Sequence, residues 1–526
     1  MNKKTYPILK KDYIGFIFTV ISIFITVRLG AFNGFNFGYT LGVCAVILTS
    51  FIYLFNKECK DKIFSFLLLI GALVLAAGYS VTSDSLIKIL SFWYILFICA
   101  TMFATISGNS NAQSGTYTYF FNTIQKSINA VFDNFTLPFR SAKESAKGEK
   151  SKNALYLLIG LGISFPILCI ILPLLSTSDL AFGKLISNLF EDIFILIGAI
   201  ILTVIITPII FAFLFSMKKK DLAEKNVKEI PDKVSKIILN TILSATAVVY
   251  LAYLVSQLAY ITKAFAFLLP DNYSAAEFAR SGFFQMGVIA FINFVILFLC
   301  ATLVKKTESK KIPNSTKGLL IFLCLFTVFY ISTAFVKMMK YISMYGLTRL
   351  RVLTSVFMLM LAVIFIIILL RLIFTRLKYI KAIILVCTIT MISVSVVDIN
   401  TVIANYNYDA YKAGKINIDV EQIGSLGVSG LPVLVKLSEE KPLEENYDVI
   451  CEIENNSYEI YNNGFYSIYD IEEIDLKQTN IFQKNYVLKQ GEIALSQFVK
   501  NNPNFDYEKF YAEYYEEEYD EDEVRY

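Results

Sequence analysis

No histidine occurs anywhere in the 526-residue chain, and a single tryptophan, Trp93, serves the whole of it. The first absence removes Ser-His-Asp and Cys-His catalysis, imidazole-ligated zinc and imidazole pH switching together. The second leaves any aromatic belt at a membrane interface to be built from 32 tyrosines and 45 phenylalanines. The eight cysteines include no C-x-x-C pair, and six of them (Cys44, Cys99, Cys169, Cys300, Cys324 and Cys387) sit in apolar runs where a thiol behaves as a small hydrophobe. No G-x-x-x-x-G-K-[ST] or G-x-G-x-x-G motif occurs in a candidate cytoplasmic segment, so nothing supports an ATPase or kinase domain. Charge inside the apolar runs is equally scarce: Arg28, Lys88 and Asp192 lie near their ends, where a side chain reaches the interface, which argues against a buried proton relay or ion path.

What the chain has is apolar length. Its hydrophobic fraction is 56% and its mean hydropathy +0.57, beyond the roughly 45–50% apolar usage of soluble domains. A bilayer core about 30 Å thick is crossed by about 20 residues of helix. Eleven runs meet that length: Tyr13–Gly30, Phe37–Phe55, Ile63–Tyr79, Leu86–Ile106, Ala154–Leu175, Asp192–Ser216, Ile237–Ile261, Phe283–Val304, Gly318–Val336, Val352–Arg371 and Ala382–Val397. The fold expected is therefore an all-α integral membrane protein of about eleven transmembrane helices, occupying residues 1–398.

Lysine and arginine orient it. The N-terminus carries Lys3, Lys4, Lys10 and Lys11, and every second loop thereafter is basic: 57–62, 140–152, 218–236, 305–317 and 371–381. Basic loops stay in the cytoplasm, so the N-terminus is expected inside and the chain beyond Asp398 outside. The longest loop, 107–153, carries an apolar stripe at Phe120, Ile124, Ile128, Val131 and Phe135, expected as an amphipathic cytoplasmic helix. After Asp398 come 26 acidic against ten basic residues, a net −16 that the membrane part balances with +20. A small, mainly helical extracytoplasmic domain is expected over 399–510, with short helices at 420–426, 431–437 and 482–499. The segment 447–469 reads as either hairpin or helix, and an acidic disordered tail is expected over 511–526.

One stretch breaks the charge pattern. Lys337, Lys340, Arg349 and Arg351, with Tyr341 and Tyr345, fall on an outer loop and need compensation there. The carboxylates of the C-terminal domain are the preferred partners; anionic lipid headgroups, or acids of neighbouring loops such as Asp84, Asp179, Glu191 and Asp271, also suit.

Three motifs resemble elements of bacterial polytopic membrane proteins of unknown function, the domain-of-unknown-function family 4173, related to family 4153. They are Leu174-Leu175-Ser176-Thr177-Ser178-Asp179, Tyr345-Gly346-Leu347-Thr348-Arg349-Leu350-Arg351 and Asn400-Thr401-Val402-Ile403-Ala404-Asn405-Tyr406-Asn407, the last departing at Thr401, where Asp is commoner. The resemblance implies topology and kinship and no chemistry. On the expected topology it gathers a candidate outer-face polar site: Asp179, Tyr345, Thr348, Arg349, Arg351, Asn400, Asn405, Tyr406 and Asn407.

The reading that follows is a multi-pass cell-membrane protein, regulatory or scaffolding and not an enzyme, without cofactor or metal. Its partners would be the bilayer, anionic headgroups or an envelope protein, and not nucleic acid. A transporter of small amphiphilic or lipidic molecules is the alternative. An enzyme acting on an envelope polymer or a lipid-linked sugar ranks third, because the first outer loop, Ala31–Asn36, holds no carboxylate.

Overall fold

The computed structural model describes residues 9–31, 36–57, 59, 61–82, 84–107, 125, 180–218, 234–261, 275–303, 312–374, 376–440, 446–461 and 486–503. Among them every regular element is helical. Ten helices are long and apolar enough to cross a membrane, and they coincide with ten of the eleven expected runs. The eleventh, Ala154–Leu175, lies outside the described residues, as do the stripe of loop 107–153 apart from Gln125 and the tail 511–526. By length and composition this is a membrane-embedded helical protein. The outward faces agree, since Ile52, Ile63, Val204 and Val248 are all more than 60% exposed on these helices.

The chain divides into two compact units. The first holds α1 (Lys10–Thr26, continued by a π turn, Val27–Ala31), α2 (Phe37–Leu54), α3 (Lys62–Ala77), most of α4 (Ser85–Ile106) and α5 (Leu180–Lys218). Gly38 and Gly42, one helical turn apart, let α2 approach α1 so closely that a Cβ at Gly42 would meet the Thr26 backbone. Such small-residue contacts replace the hydrophobic driving force that lipid does not supply. Hydroxyls reinforce this pair and join α2 to α3: Ser22 lies 3.2 Å from Thr49, and Thr40 donates to the Ala76 carbonyl at 2.9 Å. At one end of α1 the buried Asp12 carboxylate receives Lys218 Nζ at 2.8 Å, the Tyr53 hydroxyl at 2.9 Å and the Leu9 amide at 3.0 Å. Lys218 Nζ also sits 3.9 Å from the centre of the Tyr53 ring.

The second unit takes the loop and first turn Val81–Ile87, together with α6 (Lys236–Ile261), α7 (Ala275–Leu303), α8 (Asn314–Tyr345), α9 (Arg349–Ile373) and α10 (Tyr379–Val396). Beyond these lie α11 (Ile399–Lys412), α12 (Val420–Gly424), α13 (Leu431–Ser438), α14 (Tyr447–Tyr461) and α15 (Tyr486–Asn501). Helices α6, α7, α8 and α9 share a core around Met286, Cys324, Phe326 and Met358. A directed chain of hydrogen bonds runs through it: the Tyr250 hydroxyl donates to Asn293 Oδ1 at 2.7 Å, Asn293 Nδ2 to Thr327 Oγ1 at 2.9 Å, and Thr327 to the Leu323 carbonyl at 2.7 Å. Tyr250 stacks on Phe326 with ring centres 3.8 Å apart.

Helix α8 is 32 residues long, or about 48 Å at 1.5 Å per residue, so it overruns a hydrocarbon core of about 30 Å. Lys337, Lys340, Tyr341 and Tyr345, expected on a loop, are its last turns. The sequence expectation ended the helix where the apolar run ended, at Val336; propensity and packing carry it nine residues further.

Short helices α11–α15 share one core, built from Ile403, Ile423, Leu431, Leu434, Ile450, Ile453, Leu495 and Phe498, against which Leu347, Val352, Leu353 and Val356 also pack. Segment 447–461 is helix; in its apolar pattern Val449, Ile450 and Ile453 fall on one face and are buried. The rest of 447–469 lies outside the described residues.

Candidate functional site

Helix α8 ends at Gly346, whose φ of +73° places it in the left-handed region where a side chain is strained. Gly346, Leu347 and Thr348 make the turn into α9. Thr348 caps α9, its hydroxyl accepting from the Arg351 amide at 3.3 Å. Arg351 closes the other helix: its Nη1 donates to the Tyr345 carbonyl at 2.8 Å and the Gly346 carbonyl at 2.5 Å, and its guanidinium lies 4.2 Å from the Tyr341 ring centre. A cation on the last carbonyls of a helix is favoured by the helix dipole. Both residues therefore shape the turn.

Between the two caps sits Leu347, and its peptide groups are gripped from α11 and α12. The buried Asn407 carboxamide accepts from the Leu347 amide at 2.7 Å and donates to the Leu347 carbonyl at 2.8 Å; Gln422 Nε2 donates to the same carbonyl at 2.6 Å. Asn407 thus pairs with the exposed edge of one residue as a neighbouring strand would. Gly346 is needed here a second time, because a Cβ on it would press against Asn407.

Arg349 faces the other way. Its Nε donates to Asn400 Oδ1 at 3.3 Å and lies 3.1 Å from Asp84 Oδ2. The single Nε hydrogen serves Asn400, so Asp84 Oδ2 is in ion contact but has no hydrogen-bond partner. Asp84 Oδ1 caps the first turn of α4, accepting from Leu86 and Ile87 at 2.9 and 3.2 Å. Thr82 links the two buried acids of this end, accepting from the Asp84 amide at 3.1 Å and donating to Asp398 Oδ1 at 3.4 Å. Asp398 in turn caps α11 through the Thr401 amide at 2.9 Å. Asn400 Nδ2 completes the seam on the Leu426 carbonyl at 3.4 Å.

Of the residues expected to form the polar site, Arg349 and Asn400 touch, Arg351, Tyr345 and Thr348 share the turn, and Asn407 clamps it. Asn405 bonds within its own helix, to the Thr401 carbonyl at 2.9 Å, and Tyr406 is 42% exposed. Asp179 lies outside the described residues. The acid beside Arg349 is Asp84, an alternative among those weighed from sequence, rather than a carboxylate of the acidic C-terminal region. Thr82, Asp398 and Gln422 escaped sequence reasoning; the two caps had a signal, Asp398 and Asp84 each standing at the edge of a long apolar run. Among the described residues no group of three or more acidic or thiol side chains is arranged to hold a metal ion.

The family model described as "Domain of unknown function (DUF4153)" matches residues 43–437, three quarters of the chain. The chain belongs to the DUF4153 family. The sequence resemblance put family 4173 first and 4153 as its relative; the match falls on DUF4153. No curated protein matches the chain, and no solved structure does. The DUF4153 match takes in most of α2, the Asp84 loop, the α8–α9 turn, α11, α12 and all but the last residue of α13, so every contact of the seam falls inside it.

Proposed function

We propose that this DUF4153 protein is a regulatory or scaffolding protein of the cell membrane, in which the seam at the α8–α9 turn seats the helices α11–α15 as a display platform for an envelope protein. The observation that carries the reading is the grip on Leu347: buried Asn407 and half-buried Gln422 spend their carboxamides on one backbone residue, which fixes a position and presents nothing to a substrate. The reading places the N-terminus in the cytoplasm and α11–α15 outside, as the alternation of basic loops requires. The surface offered is one face of α15, where Tyr486 and Ile493, seven residues apart, are 59% and 50% exposed.

Photo-crosslinking residues placed at Tyr486 and Ile493 in intact cells test the platform. A discrete protein adduct from both positions is expected, and none from either would refute it. Orientation is read with exposed reporters in a cysteine-free background: an impermeant thiol reagent should label Asp409→Cys and spare Asn314→Cys until the membrane is permeabilised. The reverse pattern would put α11–α15 in the cytoplasm.

A further inference from the structure

We infer that Arg349 is the phosphate-binding residue of a lipid headgroup site at the α8–α9 turn. This names the ligand of the seam and rests on the reading that the seam is a fixed seat. Two arginines stand at this end, and the structure uses them differently. Arg351 is consumed by two carbonyls and a tyrosine ring. Arg349 is held by one edge only: Nε engages Asn400 and Asp84, while neither Nη group has a partner among the described residues. Its side chain is 40% exposed against 2% for Asp84. A guanidinium anchored through Nε keeps two parallel N–H groups free, the fork that matches two oxygens of a phosphate.

Depth and surroundings favour a lipid as the source of that phosphate. The overrun of α8 beyond the apolar run places Lys337, Lys340, Tyr341 and Tyr345 in the headgroup layer, where basic and aromatic residues gather. Arg349 follows them at the start of the next apolar run. Along the chain beside it, Leu350 is 67% exposed and Tyr345, which ends α8, 49%. A site for a free anion has no use for such a rim, whereas acyl chains cover it. Asp84 offsets the arginine's charge, so binding depends on the fork geometry more than on net attraction. Lysine, which keeps the charge and loses the fork, should therefore fail at this position.

The test uses the purified full-length protein in detergent and native mass spectrometry, with phosphatidylglycerol as the probe. The wild type should retain one molecule that Arg349→Gln and Arg349→Lys both release, with affinity at least about tenfold lower, the loss of about 1.4 kcal/mol expected for a charge-assisted contact. Tryptic cleavage of the α11–α15 region reports the seat separately. Lipid loss from Arg349→Lys with wild-type cleavage supports the site, whereas loss accompanied by rapid cleavage assigns the effect to a broken seat and overturns it. Equal retention by all three proteins would overturn it as well. Displacement of the lipid by inorganic phosphate at about 10 mM, ten times a dissociation constant of about 1 mM, would overturn the lipid assignment and show that the fork serves free phosphate instead.

Discussion

Replacing Asn407 by Ala removes both hydrogen bonds that hold the Leu347 peptide groups, and leaves the Leu347 amide without its partner. At about 1 kcal/mol for each neutral hydrogen bond, the seam loses about 2 kcal/mol. Every 1.4 kcal/mol is a factor of ten, so α11–α15 should open about 30 times more often. Trypsin reads this directly, because Lys412 and Lys436 lie in helices and are cut only from the open form, at a rate proportional to its population. Gln422→Ala behaves differently: the Leu347 carbonyl still has Asn407, so the cost stays under about 1 kcal/mol. Combining the two orphans that carbonyl altogether, and the double variant should exceed the sum of the singles by about 1 kcal/mol. Cleavage of Asn407→Ala at the wild-type rate, or strict additivity in the double variant, would refute the clamp.

Three further expectations follow from other contacts. Asn293→Leu leaves the Tyr250 hydroxyl without its acceptor inside the α6–α8 core, costing about 1 kcal/mol in thermal melts followed by thiol-reactive dye at the buried Cys300 and Cys324; adding Tyr250→Phe should restore most of it. Asp12→Asn strips the charge that Lys218 and Tyr53 both address in a site where the carboxylate is 1% exposed, and a loss of about 2 kcal/mol is expected in the same melts, with Lys218→Met as its partner in a double-mutant cycle. Glu452 has its pKa raised, first by burial and then by Glu421 and Asp448, so the folded state disfavours its ionised form. That group contributes stability below the ordinary carboxylate range and loses it as pH rises through the folded pKa. Glu452→Gln should therefore melt above the wild type at pH 7, with the advantage vanishing near pH 4, where about half of ordinary glutamates are protonated.

The sequence carried the spans because their signal is additive: twenty apolar residues outweigh any one neighbour, and the ten described spans lie within a few residues of the expected runs, while the helices α5, α7 and α8 continue beyond them. It carried the turn as well, since Gly346, Thr348 and Arg351 act on residues within ten positions of themselves. What it did not carry were pairings at long separation. Arg349 finds Asp84 across 265 positions, and nothing local marks one loop acid over another. Asn293 was missed because an uncharged amide barely dents a hydropathy average. Asp12 was missed because it stands among Lys10, Lys11 and other basic residues and reads as part of their flank.

That 265-residue separation also sets an order of events during synthesis. At about 5–20 residues per second, the ribosome needs roughly 13 to 50 seconds after Asp84 emerges to deliver Arg349, and longer to deliver Thr401 and Asn407. Throughout that interval the Asp84 loop is without the arginine, and Asp398, which accepts from Thr82, has not yet been made. A nascent or truncated chain stopping before α9 would expose an uncompensated acid at the mouth of its fourth span, a mark by which membrane proteases could tell unfinished copies from finished ones.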